Sequence, residues 1–365
     1  MRKEKLLSNK EIIEKLDSNM NLELSLASLE LYHSNFIAYI IKNYQEIPLV
    51  FLKDFIDIEN VKIERVERER KNIDLTLHLN DGTKVIIENK MKDYPNREQL
   101  EKYSRDNPDV KLKVLLVPFK INNTTLPKDW KIIHYRNIVE YLDHIKGSQF
   151  ATFIDDYKNL CTYLEVLFKS INTNISTSRY GDIYPLMNEA KKLRLDSAIE
   201  RIFRNSMLDK IDSKFKPYFG RGTGKHYFGG IVHLDENFSI DVQLEKNDYR
   251  HKLNIPREKV RDSAFIMAKE LKDLNYVFNF SSHLEPRRGG EWNQYGLGRL
   301  EKSFDVYNSP LKLKANANGL DIYTYAKIPN ELPNQQIVDL INRDLHSFER
   351  NKYEILEVIY KYINE

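Results

Sequence analysis

The feature that most constrains this chain is a switch of hydrophobic period near Val61. Apolar residues fall on alternate positions at Ile73, Leu75, Leu77 and Leu79, and the alternation resumes at Val85 and Ile87 after Asn80-Asp81-Gly82. Period-two patterning interrupted by that tripeptide predicts two strands joined as a β-hairpin. A three-residue loop, a type I turn closing with Gly82 in the left-handed region, pairs Leu79 with Thr83 and fixes the register. Counting outward, Asp74 falls opposite Glu88. Asp74, Thr76, Ile86, Glu88 and Lys90 then share one sheet face, and Leu75, Leu77, Val85 and Ile87 the other. The reading is of one core face and one face that holds chemistry.

Two carboxylates directly across a strand pair repel, by roughly 0.2–1 kcal/mol at the surface and more when desolvated, so the pairing calls for a cation. A hard divalent ion is the natural partner. Mg²⁺ takes oxygen ligands and keeps several waters, so two carboxylates and a backbone carbonyl suffice when a substrate phosphate supplies another oxygen. Lys90 would stand beside such an ion.

Around the hairpin, helical periodicity covers residues 9–16 and about 22–44, the latter with Leu29, Tyr32, Phe36, Ile37, Ile40 and Ile41 on an apolar stripe flanked by Glu30, His33 and Ser34. A first strand starts at Val61. The run Glu64–Lys71 alternates in sign and reads as a solvated edge strand, although Arg68, Arg70 and Lys71 are suited to a phosphate backbone. A helix of about 95–105, strands at 114–117 and 131–135, and helices near 137–145 and 150–169 complete an α-βββ-α-β order. Residues 170–178 are polar, uncharged and poor in core formers, which predicts a linker. The expected division is a domain over 1–170, a linker over 171–182, and an α+β domain over 183–365. In that second half 183–216, 257–273 and 334–363 read as helical, and 226–243, 249–255 and 302–327 as strands.

With 41% hydrophobic and 30% charged residues over 365 positions, the chain can bury a core, and neither disorder nor a fibrous repeat fits. The single cysteine, Cys161, excludes an internal disulfide framework and a cysteine-based zinc cluster, which points to a reducing, cytoplasmic setting. The charged start lacks the apolar stretch of a signal peptide, and no run approaches 18 apolar residues, so no membrane association is expected. A net charge of +3 neither requires nor forbids a nucleic-acid partner.

Asp74, a gap of thirteen residues and then Glu88-Asn89-Lys90 resembles the D…(D/E)xK signature of the PD-(D/E)XK nuclease superfamily. Gln99 and Tyr103, one helical turn apart, resemble the QxxxY element that follows the lysine in many members. Glu30-Leu-Tyr-His33-Ser34-Asn-Phe36 resembles the helical ExxHSxF stretch of one bacterial subgroup. The resemblance spans about 20–165, and Ile73 stands where the family's proline is often found. It implies a restriction-endonuclease-like α/β core, a mixed sheet flanked by helices. It further implies that Glu30, Asp74, Glu88 and the Asn89 carbonyl hold Mg²⁺, with Mn²⁺ able to substitute. Lys90 would position or help deprotonate the attacking water, and Gln99 would orient the substrate strand or Lys90. His33, Ser34 and Tyr103 are candidate substrate contacts. The implied activity is phosphodiester hydrolysis, in DNA by family habit and endonucleolytic by preference, in defence against foreign DNA or in repair.

In the second half, Gly220–Lys225 is not a phosphate loop, because the first glycine of that motif would fall at Phe219 and His226 replaces its Ser/Thr. Arg287-Arg288 with Trp292 and Tyr295 has a composition suited to phosphate contact and base stacking, or to a surface loop. This domain is expected to recognise nucleic acid, a partner or a second copy of the chain. The rival reading is a nucleic-acid-binding or assembly protein on the same fold, catalytically silent or gated by an effector.

Overall fold

The structure, a computed structural model, describes residues 7–363 apart from 28, 71, 92–93, 122–125, 174–176, 222–225, 257–263, 279–284, 287–311 and 316–318. The chain divides into two compact units, Met1–Asn174 with Ile183–Phe203, and Ile175–Asp182 with Arg204–Glu365.

The first unit opens with helices α1 (Asn9–Asp17), α2 (Met20–Ser25) and α3 (Leu29–Asn43). A capping box starts α1: the Ser8 side chain accepts from the Glu11 N–H, and the Glu11 carboxylate takes the Ser8 N–H. One helix was expected over 22–44, but two form. The Ser25 hydroxyl donates to the Leu22 carbonyl at 2.6 Å, and this back-bonding weakens the helix where it ends.

Strands β1 (Ile63–Arg70), β2 (Ile73–Leu79) and β3 (Lys84–Asn89) form an antiparallel meander; after α4 (Arg97–Asp106), β4 (Leu112–Val117) and β5 (Trp130–His134) continue the sheet in parallel with β3. The order is β1-β2-β3-β4-β5, a mixed sheet with the charged β1 at one edge. Helices α5 (Tyr135–Asp143) and α6 (Ala151–Thr173) follow. All of β4 and nearly all of β3 are buried, Ile86 as fully as Ile87. Both sheet faces are therefore covered at the centre, as parallel strands require, and the expected division into one core face and one chemical face holds only near the ends of β2 and β3.

Helices α7 (Ile183–Ala190) and α8 (Asp196–Leu208) replace the single helical stretch expected over 183–216; Arg194, at φ +54°, ends the 3-10 turn between them. Unit assignment also departs from the expected division. Residues 171–173 extend α6, residues 183–203 belong to the first unit, and the unit boundary falls inside α8.

The second unit is built on a sheet whose strands, among the described residues, are β6 (Tyr218–Arg221), β7 (His226–His233), β8 (Ser239–Glu245), β9 (Asp248–Pro256), β10 (Glu285–Pro286), β11 (Lys312–Ala315) and β12 (Gly319–Lys327). All pairs are antiparallel in the order β10-β12-β9-β8-β7-β6, and β11 also pairs with β12. Helix α9 (Ala264–Asp273) precedes β10; α10 (Asn334–Arg350) packs on β7 and β8, and α11 (Lys352–Ile363) on α9. The expected α+β character is thus present. Arg287 and Arg288, with Trp292 and Tyr295, lie outside the described residues. Among the described residues, no helix is long and apolar enough to cross a membrane.

Candidate active site

The hairpin turn behaves as its sequence requires. Gly82 has φ +79°, its N–H donates to the Leu79 carbonyl at 3.0 Å, and the Leu79 N–H donates to Thr83 at 2.9 Å. Asp81 clasps the turn by accepting from the Thr83 N–H and hydroxyl. The register that follows pairs Leu75 with Ile87 and Leu77 with Val85, which brings Asp74 level with Glu88.

At this end of the strands the polar groups converge. Asp74 Oδ2 accepts from the Asn89 N–H at 2.7 Å. Glu88 is 1% exposed, and its Oε1 receives both the Lys90 ammonium at 2.7 Å and Gln99 Nε2 at 3.0 Å. Its Oε2 is buried with no hydrogen-bond partner. Asn96 caps α4 by accepting from the Glu98 and Gln99 N–H groups, which seats Gln99 in the first turn. Tyr103, one turn on, accepts from Gln99 Nε2 at 2.7 Å and donates to the Asn72 carbonyl at 2.5 Å, so α4 is tied to β3 through Glu88 and to the residue that precedes β2.

Glu30 approaches from α3, which lies against β1, β2 and β3. Its Oε2 accepts from the Met91 N–H at 2.7 Å, just past the end of β3. The Asn89 side chain points the opposite way from Glu88, where Nδ2 donates to Ser34 Oγ at 3.1 Å and Oδ1 accepts from the Tyr135 hydroxyl at 2.5 Å.

Electrostatics follow from burial and crowding. Burial pushes the Glu88 carboxyl up to about 7; the neighbouring Asp74 adds to the rise and Lys90 opposes it. Asp74 is likewise held up at about 6 by burial, against the Asn89 N–H and Lys90, with Glu69 adding to the rise. Burial alone would lower the Lys90 ammonium, but Glu88, Glu30 and Asp74 outweigh it and hold it above the usual lysine range. Among the described residues, Glu88, Asp74 and Glu30 all act on the Lys90 ammonium.

Of the residues singled out from sequence, Asp74, Glu88, Lys90, Gln99, Tyr103 and Asn89 come together, and Glu30 reaches their edge. Gln99 touches Glu88 and Tyr103, not Lys90 as one expectation had it. His33 and Ser34, expected as substrate contacts, are 0% exposed. His33 sits edge-on to Tyr32 and beside Tyr157, and Ser34 meets the site through the Asn89 amide and the Glu30 backbone carbonyl. Tyr103 is 4% exposed and serves Gln99. Sequence reasoning missed Tyr135 altogether; as the first residue of α5 it carries no periodic signal that would mark it.

Among the described residues, no three acidic, histidine or cysteine side chains stand in a metal-ligating cluster. A cation here would draw on the Asp74–Glu88 pair and backbone oxygen, a donor set suited to a hard ion that retains water. The buried, unpartnered Oε2 of Glu88 is the atom that most clearly fits one. Comparison with protein-family models, with curated proteins and with solved structures finds no match to this chain.

Proposed function

We propose that this chain is a divalent-metal-dependent phosphodiesterase of the PD-(D/E)XK superfamily, acting on nucleic acid, with DNA the favoured substrate and endonucleolytic cutting the favoured mode. The observation that carries the reading is the Asp74–Glu88 pair, level on adjacent antiparallel strands, Glu88 buried and Asp74 half-buried, with Lys90 two residues on and bonded to Glu88. The α-βββ-α-β element order around it supports a restriction-endonuclease-like core. Defence against foreign DNA, or repair, is the role that the family resemblance suggests.

Burying two acids side by side is costly unless a cation compensates, and one lysine compensates only part of it. Asp74, Glu88 and the Asn89 carbonyl would hold Mg²⁺ or Mn²⁺, with Glu30 joining if it exchanges the Met91 N–H for the ion. When bound, the ion supplies Lewis-acid polarisation of the scissile phosphate and acidifies water. Gln99 fixes the rotamer of Glu88 through Oε1, and Tyr103 fixes Gln99 in turn. Lys90, once its ammonium is released from Glu88, is placed to donate to a phosphate oxygen or to orient the attacking water.

A gated form of the same enzyme is favoured by one observation: Lys90 is clasped on Glu88 and Glu30 on the Met91 N–H, so the donors are engaged internally. The test is Mg²⁺- and Mn²⁺-dependent cleavage of circular and linear DNA, single- and double-stranded, and of RNA, with EDTA as control. Asp74→Ala, Glu88→Ala and Lys90→Ala are each expected to lower the rate at least about a thousand-fold, the equivalent of roughly 4 kcal/mol. Nicking of closed circles would identify endonuclease action. No cleavage, but Mn²⁺ binding that depends on Asp74 and Glu88, would select the gated form. Absence of both activities would refute the metal-dependent reading.

A further inference from the structure

Asn89 stands between Glu88 and Lys90, so on a pleated strand its side chain leaves by the opposite face. That face is dry. Asn89, Ser34 and Tyr135 are each 0% exposed. Tyr135 donates its hydroxyl to Asn89 Oδ1 at 2.5 Å, Asn89 Nδ2 donates to Ser34 Oγ at 3.1 Å and more weakly to the Glu30 carbonyl at 3.5 Å, and Ser34 Oγ donates to that same carbonyl at 3.0 Å. The amide is held at both ends, and the Glu30 carbonyl, which can only accept, favours the orientation that turns Nδ2 towards it. On the front, the Asn89 backbone N–H is held by Asp74 Oδ2 at 2.7 Å.

The network sits at the carboxyl ends of the parallel strands. β3 ends at Asn89, which pairs with Leu116 of β4; β4 ends at Val117, which pairs with His134 of β5, and Tyr135 follows directly. The first turn of α5 is pinned by Asn137 Oδ1, which accepts from the His134 N–H at 3.2 Å. Tyr135 thus leaves a fixed point and reaches Asn89 beneath the intervening strand.

A buried amide is an expensive choice in a strand whose preceding residues are Val85, Ile86 and Ile87, since an apolar side chain would bury without needing partners. What a fully satisfied polar network supplies is a single geometry. We propose that Tyr135 is a positioning residue for the acidic site: through Asn89 it fixes the twist of the last residues of β3, and so the directions in which Glu88 and Lys90 project and the donor geometry presented to a divalent cation. The inference rests on the divalent-cation reading of Asp74 and Glu88, and its test is chosen to separate the two.

Mn²⁺ binding is measured by calorimetry on the full chain at pH 8, a readout that needs no turnover. Tyr135→Phe is expected to weaken binding about ten-fold, in line with the effect of groups that orient metal ligands, while far-UV circular dichroism is retained. The double variant Tyr135→Phe/Asn89→Leu removes both ends of the bond and leaves no unpaired amide oxygen, so melting temperature recovers towards that of wild type. Positioning requires that affinity stay low in this double variant; a merely structural role requires that it recover with stability. Wild-type affinity in Tyr135→Phe, or restored affinity in the double variant, overturns the positioning role and leaves the cation site standing. Should Tyr135→Phe not fold, Ser34→Ala frees the other end of the amide and is expected to weaken binding several-fold, and unchanged affinity there overturns the proposal equally. A wild-type chain that binds no Mn²⁺ through Asp74 and Glu88 overturns both.

Discussion

Asp74 and Glu88 hold their protons more tightly folded than unfolded, because burial disfavours their ionised forms and each is crowded by further acids. A carboxyl raised on folding contributes stability at low pH, and the contribution is lost as pH rises from the unfolded value near 4 to the folded values of about 6 and about 7. In EDTA, the pair is expected to lower stability across that window by on the order of a few kcal/mol. Asp74→Asn and Glu88→Gln should flatten the loss and raise the melting temperature of the metal-free protein at pH 8. Thermal melts at pH 5 and pH 8 check this; unchanged pH dependence in both variants would count against the burial argument. Divalent ions should reduce the same loss in wild type alone. Lys90 competes for Glu88, so Lys90→Met is expected to keep or strengthen Mn²⁺ binding at pH 8 while losing cleavage. A ten-fold fall in its affinity would contradict that competition. At this scale the sequence exposed the acids and the lysine because they lie on one hairpin, whose turn residues alone determine the register. It did not expose Tyr135, which meets Asn89 across 46 positions of chain.

Elements were legible where one period ran unbroken and failed where local side-chain chemistry interrupted it. The stretch 226–243, expected as strand throughout, is two strands, β7 and β8. Between them Asp235 Oδ1 accepts from the Asn237 and Phe238 N–H groups, a turn that Asp235-Glu236-Asn237 encodes and that the flanking apolar residues mask. Glycine tells a similar story on both sheets. At Gly82 an added Cβ meets nothing within 4 Å, so Gly82→Ala costs only the strain of a positive φ, roughly 1 kcal/mol. At Gly229 a Cβ would stand 1.8 Å from the Val242 carbonyl oxygen, on the neighbouring strand. Gly229→Ala is therefore expected to destabilise the second unit by about 3 kcal/mol or more. Urea unfolding of the two variants compares them directly, and similar midpoints would refute the distinction.

For the whole molecule, the segment that most resembled a linker misled. Its composition is polar, yet the Tyr180 N–H donates to the Leu332 carbonyl at 2.9 Å, the Gly181 N–H to Asn330 at 2.8 Å, and Arg179 forms a β-bridge with Pro333. Backbone hydrogen bonding, which composition does not report, ties residues 177–182 to the second unit. The first unit in turn recovers residues 183–203, with α7 against α1 and Lys192 paired with Asp17. A fragment ending at 174 is accordingly expected to melt below one ending at 203 and to bind more of an apolar dye; equal melting temperatures would show that α7 adds nothing to this unit. The chain passes between units after Asn174, after Asp182 and after Phe203. For a gene, that threading is a constraint on ancestry: a breakpoint after Phe203 keeps the acidic unit whole but takes residues 177–182 from the second unit, and one after Asn174 takes residues 183–203 from the first, so no single cut leaves both units whole. A companion exchanged at a single cut therefore costs one unit its returning segment, residues 183–203 for the first or residues 177–182 for the second.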